Sequence, residues 1–353
     1  MNGFDIIRKD IETVVAKLQN SFLKLAGKKV LITGANGFLA AYLVDTINFL
    51  NKNLLKHNPA KLICMTIESK QECKRISHIF DSSNIELIQQ DVGKKFFLED
   101  GIDYIIHAAS KASPKEYLSD PIGTIDANVN GTRQLLEYSV TNKVESFLFF
   151  SSGEIYGDPC LDDIPTKEDY LGRADWLAPR SCYTESKRFS ETLCINFFYK
   201  YKIPIKIVRP VHIYGPGLRL NDGRVISDFL KDGLAGKDIN ILSDGLASRG
   251  FCYVSDATIA FWNVLLNGRS GQVYNVGNDK EETSIRDLAK TVAQIFDNKI
   301  SINFYNKDTF NYLAGSPGRS CPSVDKLRQE FDYEPQVCLR DGLLKLKNWY
   351  EVQ

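Results

Sequence analysis

The sequence predicts an α/β fold: a parallel sheet covered on both faces by helices, with a smaller and less regular lobe toward the C-terminus. Three observations carry this. Short apolar runs recur as "KKVLIT", "KLICMTI", "IELIQQD", "YIIHAAS", "SFLFFSS" and "IKIVRP", with helical segments between most of them. Strands that are apolar along their length, rather than at alternate positions, are buried on both faces. The first run passes through glycines into the helical stretch "GANGFLAAYLVDTINFLNK", which opens a strand, turn and helix series. After about residue 214 the rhythm breaks into "GPGLRLNDGR", "LSDGLASRG" and "AGSPGRSCPS" between short helices. Loops rich in Gly, Ser, Arg and Asp suit a lobe that closes over a polar, anionic ligand.

The elements follow in order. Phe4, Ile7, Ile11, Val14, Leu18, Phe22 and Leu25 fall at three- and four-residue spacing, one apolar stripe of an amphipathic helix over residues 1–26 that packs on the body of the same subunit. The sheet-forming domain spans 27–213 with about 253–276, and the smaller lobe spans 214–252 and 277–353. Composition bounds the function. The chain has 353 residues with 43% apolar content, and Lys plus Arg equals Asp plus Glu at 44 each. No overall field attracts nucleic acid or an anionic membrane, so an anionic partner must be held by local basic residues. The eight cysteines stand singly, at 64, 73, 160, 182, 194, 252, 321 and 338, without the paired spacing of a metal site or a disulfide scaffold. With no leader-like start and no apolar run of about 18 residues, a cytoplasmic protein outside the membrane is expected.

"TGANGFLA" puts Gly34, Gly37 and Ala40 at the turn after the first strand. Glycines there permit a tight turn, and the following helix offers its N-terminal amides to a pyrophosphate, the arrangement of a Rossmann-type doubly wound sheet. An acid at the second strand's end should bind the adenosine ribose; Glu68 is the nearby carboxylate, while strand counting equally puts Thr66 at that tip. Lys70, Lys74 and Arg75 suit a 2′-phosphate, but read better as the solvated face of a helix, which favours NAD over NADP. Asp91-Val92 closes the third strand, where an acid reaches the adenine amino group. "HAAS" closes the fourth beside the pyrophosphate path, with His107 a satisfied structural histidine.

"CYTESKRFSETLC" places Tyr183 and Lys187 four apart on one helix face. An ammonium beside a phenol favours the phenolate, lowering a pKa that starts near about 10, so Tyr183 becomes a base near neutrality. Ser152, at the end of the preceding strand in "SSGEIYG", can hold a substrate oxygen while that proton leaves. Glu154 is a second base, or orders a water; the alternative is a carboxylate occupied by turn amides.

With these residues in place the chain resembles the extended short-chain dehydrogenase/reductases that modify nucleotide sugars, from about Lys28 to Trp349, through "TGANGFLA", "HAAS", "DANVNGT", Tyr183 with Lys187, and "RPVHIYGPG". It looks most similar to the UDP-glucuronate decarboxylases, through "HAASKASPKEYLSDPIGT", "SSGEIYGDP", "APRSCYTESKR", "LNDGRVISDF" and "RGFCYVSD". The resemblance implies a bound NAD that takes hydride from C4 of the sugar, Tyr183 as base, Lys187 on the nicotinamide ribose, and Ser152 on the C4 oxygen. It extends the cofactor contacts from Gly34, Gly37, Glu68, Asp91 and Val92 to Phe38, Leu39, Ala108, Ala109, Ser110 and Pro210. It also implies substrate contacts from Lys111, Gly153, Asn128, His212, Arg224, Arg249 and Arg319, and a homodimer. A 4-ketone activates C5, so that a C5 carboxylate leaves as carbon dioxide or a C5 proton is removed with loss of the C6 hydroxyl.

Three departures bear on the second step. Ser152-Gly153-Glu154 stands where decarboxylases have Thr-Ser-Glu and 4,6-dehydratases Thr-Asp-Glu. Ser320 replaces an arginine before the "CP" motif, which Arg319 replaces after a small loop shift. His212 stands for an asparagine. Losing a charged donor to a buried carboxylate costs about 2 kcal/mol or more, enough to change substrate. The overall similarity to decarboxylases still puts decarboxylation first, with a 4,6-dehydratase, an epimerase or a 4-keto reductase as alternatives, and a non-catalytic dinucleotide sensor as the reading from another class.

Overall fold

The computed structural model describes residues 3–173, 175–305 and 317–352; part of the predicted loop at 314–323 lies outside them. The apolar runs form β1 (Lys29–Thr33), β2 (Lys61–Thr66), β3 (Ile85–Gln89), β4 (Tyr104–His107), β5 (Ser146–Phe150) and β6 (Ile205–Pro210), joined by β7 (Gln272–Val276). All pair in parallel, in the order β7-β6-β5-β4-β1-β2-β3. Alternation across β5 explains its unbroken apolar run. Leu148 and Phe150 face one buried cluster and Phe147 and Phe149 the other, because successive side chains leave a strand on opposite sides.

The helices are α1 (Gly3–Leu18), α2 (Phe38–Asn53), α3 (Pro121–Asn142), α4 (Ser181–Tyr201), α5 (Val225–Leu234), α6 (Val254–Asn267), α7 (Ile285–Ile295) and α8 (Leu339–Glu351), with shorter helical turns between. Leu135, Leu136 and Cys194 of α3 and α4 cover one face of the sheet, and α1, α2 and α6 cover the other. The N-terminal extension packs on its own subunit as expected. Its helix ends at Leu18, because Gln19 takes a positive φ of 49° and a 3-10 segment follows. Ile7, Ile11, Val14, Leu18 and Leu25 are buried, while Phe4 stays exposed beside His78. Asp10, buried in that stripe, accepts from Tyr42 Oη (3.2 Å), Tyr253 Oη (2.7 Å) and Lys345 Nζ (2.9 Å), which stitches the extension to α2, to the residue before α6 and to α8.

The C-terminal part of the chain holds α5, α7 and α8 with short strands: Ile239–Ile241 beside Ile302–Phe304, and Ser248–Gly250 between Glu282–Ser284 and Arg319–Ser320. Strand order reverses between β4 and β1, so the crevice beyond their carboxyl ends is where a doubly wound sheet binds its ligand.

Candidate active site

The crevice begins at the glycine turn. Gly34 has φ +67°, and a Cβ there would lie 2.8 Å from the Ala109 Cα, so the ends of β1 and β4 meet backbone to backbone. No side chain caps α2 at Gly37, which leaves the first amides of the helix, from Phe38 and Leu39 onward, for an anion. Beside them the Ser110 hydroxyl is buried without a partner. Beyond β2 and β3, Ile67, Gln89, Gln90, Asp91 and Lys94 line an open cleft of about 420 Å³, and Val92 packs against Gly131 of α3. β2 stops at Thr66 and Glu68 follows two residues later. The Glu68 amide donates to Thr66 Oγ1 (3.3 Å), and its carboxylate meets Asn36 of the glycine turn and Arg219 (3.4 Å). Unpartnered buried donors, a side-chain-free approach and a helix N-terminus fit a dinucleotide from Gly34 to Ser110.

Two expectations change at this end. Residues 70–75 form turns instead of a helix, and Arg75 turns inward to Asp45 (2.7 Å), while its amide donates to Asn36 (3.1 Å). Burial pushes the Asp45 carboxyl up, yet Arg75 and His78 together hold it below the usual range. His107 is only half satisfied: Nδ1 shares a 2.8 Å hydrogen bond with Thr33 Oγ1, but Nε2 is buried without a partner. Burial, reinforced by Lys187, pushes it down to about 3, so it is neutral.

The side chains expected to carry the chemistry gather at the ends of β5 and β6, against the start of α4. Ser152 caps the short 3-10 turn Gly153–Tyr156 by accepting from the Glu154 amide (3.2 Å), which aims both side chains toward Tyr183. The Tyr183 phenol is buried. Desolvation and the Glu154 charge push it up to about 12, while a hydrogen bond with Ser152 and the charge of Arg224 pull it down. Lys187, one helical turn on, gives its ammonium to the Phe150 carbonyl (2.7 Å), and burial holds it down to about 7. Lys187 is not among the groups that pull the phenol down: its ammonium is turned to the Phe150 carbonyl. Asn128 of α3 donates to Ser186 Oγ (2.8 Å) beneath this pair, and its Oδ1 is buried without a partner. Pro210 ends β6 opposite Val276.

From the other side come charged groups. Arg224 reaches the Ala112 carbonyl (3.0 Å) and Asp222 (3.4 Å), and Arg249 the Ser248 carbonyl (2.7 Å). His212 lies between these arginines: burial first, then Arg249 and Arg224, push it down to about 3, and its Nε2 pairs with Ser320 Oγ at 2.9 Å. Lys111 pairs with Asp120, which caps α3. Arg319, expected to stand in for the arginine missing at Ser320, is paired with Glu282 through both carboxylate oxygens at 2.8–3.0 Å. A Cβ on Gly153 would stand 2.5 Å from Val211 Cγ2, so an apolar methyl fills the space where a hydroxyl-bearing side chain would begin.

Two residues were missed from sequence. Arg180, three residues before Tyr183, pairs with Glu154 (3.3 Å) and hydrogen-bonds Tyr117. The Tyr117 ring stacks on Tyr183 at 5.3 Å and 14°. Both lie inside motifs quoted above, but only the tertiary fold shows whom they touch.

The fold is that of an α/β protein with a dinucleotide crevice at the switch point of its sheet, and comparison with known proteins gives the family. Residues 30–277 match the NAD dependent epimerase/dehydratase family, and the protein belongs to it. UDP-glucuronic acid decarboxylase 6 of Arabidopsis thaliana is 33% identical over 92% of this chain and 90% of its own. An epimerase of Methanothermobacter thermautotrophicus superposes with a TM-score of 0.80 at 25% identity, covering 95% of each chain. The UDP-glucuronic acid 4-epimerase of Bacillus cereus, solved with UDP-glucuronic acid and NAD, gives 0.74 at 25% identity, covering 92% of this chain and 99% of its own. The protein is an NAD-dependent enzyme.

Proposed function

We propose that the protein oxidises a nucleotide-linked hexuronate, UDP-glucuronate first, at C4, releases the C5 carboxylate as carbon dioxide, and returns hydrogen to C4 to give the nucleotide pentose. The observation that carries this reading is the convergence of Ser152, Glu154 and Tyr183 with Arg180, Arg224 and Arg249 on one corner, in a chain one third identical to named decarboxylases. The glycine turn, Glu68, Asp91 and Ser110 would hold NAD, which supplies the two-electron acceptor for the C4 hydrogen when bound. Ser152 orients the C4 hydroxyl and Tyr183 takes its proton. The 4-ketone then stores the electron pair left as the C5–carboxylate bond breaks, and a proton fills the vacated position. Glu154, beside Ser152 and Tyr183, delivers that proton or orders the water that does. The arginines match the charge of a diphosphate and a carboxylate.

Gly153 supports a second reading. Without a hydroxyl or acid at that position, C4 epimerisation of the same sugar needs only the redox half of the site. Exposed Ile122 and Ile125 on α3, with Phe189 and Tyr199 on α4, support a homodimer through these helices. Free cysteines at all eight positions support a cytoplasmic site of action, and a pentose donor suits polysaccharide synthesis. The test is incubation of the NAD-loaded protein with a panel of nucleotide sugars, reading product masses. Loss of carbon dioxide from UDP-glucuronate without added cofactor is expected. An unchanged mass with a new epimer would transfer the assignment to the second reading.

A further inference from the structure

A buried ion pair adjoins the corner formed by Ser152, Glu154 and Tyr183, and none of the steps written above uses it. Arg209, the last residue but one of β6, is 7% exposed. Its guanidinium grips Glu191 through both carboxylate oxygens, from Nε at 2.9 Å and from Nη2 at 2.6 Å. Nη1 donates to Tyr156 Oη and to the Glu168 carbonyl, both at 2.8 Å, and Tyr156 in turn donates to Asn275 Oδ1 on β7 at 2.5 Å. Two of these partners belong to the elements that carry the groups assigned to C4. Glu191 falls four residues after Lys187 and eight after Tyr183, along one buried stripe of α4. Tyr156 closes the 3-10 turn that Ser152 caps and that holds Glu154. Arg188 also ties this turn to α4, but its two carbonyl partners, Ile155 (2.6 Å) and Leu171 (2.7 Å), lie off the sheet.

We propose that Arg209 and Glu191 are positioning residues: their fork sets the turn bearing Ser152 and Glu154 at a fixed distance from the helix face bearing Tyr183 and Lys187, with β6 as the common reference. The inference rests on the reading of Ser152 and Tyr183 as the pair that acts on C4. A buried ion pair adds little stability over packed apolar side chains of the same size, whereas its planar, two-bond fork admits one geometry. Proton transfer needs its heavy atoms held within hydrogen-bond reach, and a displacement of about 1 Å costs about 10²-fold in rate. A guanidinium suits the task because its donors lie in one plane and hold a helix, a turn and a loop carbonyl together.

The experiment measures kcat and KM for UDP-glucuronate, thermal midpoint and retained NAD of the NAD-loaded protein, for wild type, Arg209→Met, the double variant Arg209→Met/Glu191→Leu, and Tyr156→Phe. Arg209→Met strands a buried carboxylate and should lower the midpoint by about 5 °C or more. The double variant removes both charges and should return the midpoint to within about 3 °C of wild type. It should keep its NAD and hold KM within about 3-fold, yet stay about 10- to 100-fold down in kcat. Tyr156→Phe leaves the ion pair intact and frees the turn, so kcat should fall by about 5-fold or more at an unchanged KM. A kcat that recovers together with the midpoint in the double variant would make the pair structural only, and the proposal fails. A Tyr156→Phe protein that keeps its kcat within about 2-fold of wild type also overturns it, and decides the matter if the double variant does not fold. If wild type leaves UDP-glucuronate unchanged, the reading of the site falls and takes this inference with it.

Discussion

The two ends of the crevice are built from different materials. At the glycine turn the partners are backbone atoms: Gly34 against Ala109, and the uncapped start of α2. At the sugar end they are side chains drawn from β5, α4 and loops of the smaller lobe, and each arginine there is defined by the group that claims it. A site made of backbone is written in local sequence, since glycines at fixed offsets have few other uses. A site made of side chains depends on pairings that local sequence does not contain.

The sharpest test of the sugar end is Tyr183→Phe. Removing the group that moves the C4 proton should cut kcat by about 10²- to 10⁴-fold, while the NAD carried through purification and the thermal midpoint stay near wild type. At the cofactor end the expected pattern is the reverse. Gly34→Ala places a methyl 2.8 Å from the Ala109 Cα at a φ of +67°. It should lower the thermal midpoint by about 5 °C or more and strip the co-purified NAD severalfold, as read by melting and by absorbance of the released nucleotide. If Gly34→Ala kept its NAD, the backbone contact would not be what forms the site.

The next test concerns the buried lysine. Burial holds Lys187 down to about 7 from an ordinary 10.5. Below pH 7 or so, both folded and unfolded chains carry its proton, and the folded chain bears the desolvation cost in full. Between about 7 and 10.5 the folded chain releases the proton while the unfolded chain keeps it, so this site makes the unliganded protein more stable as pH rises. Lys187→Met should therefore raise the unliganded midpoint at pH 6 by about 3 °C, partly offset by the bond lost to the Phe150 carbonyl, and the gain should vanish by pH 10. A gain that grows toward pH 10 would mean that the ammonium is stabilised by the fold. The smallest effect is expected from Arg319→Gln. Its pair with Glu282 is partly exposed, so the midpoint should move by less than about 3 °C and UDP-glucuronate affinity by less than about 3-fold. A loss of about 10-fold or more would put Arg319 at the substrate after all.

The same contrast explains what could be read in advance. The six apolar runs became strands because burial on both faces leaves little else for such segments to do, and Gly34, Gly37, Tyr183 and Lys187 drew notice through spacing taken together with their place after a strand. Arg75 was misread because its partner, Asp45, lies 30 residues away on α2, and a turn replaced the helix that would have exposed it. The pairing of Arg319 was not legible because Glu282, 37 residues earlier, reaches it across a short sheet. Arg180 and Tyr117 went unread although they sit inside recognisable motifs, since their meaning is a contact with Glu154 and a stacked ring. Nor does the spacing of Tyr183 and Lys187 reveal that the buried ammonium is turned to the Phe150 carbonyl.

The account turns on hydrogen leaving C4 of the sugar under the control of Tyr183. Rapid mixing of the NAD-loaded protein with UDP-glucuronate, following the near-ultraviolet absorbance of reduced nicotinamide, tests it most directly. A transient rise that decays as the pentose product forms is predicted for wild type, and none for Tyr183→Phe. Product formation without any transient reduction, or an undiminished transient in the variant, would contradict it.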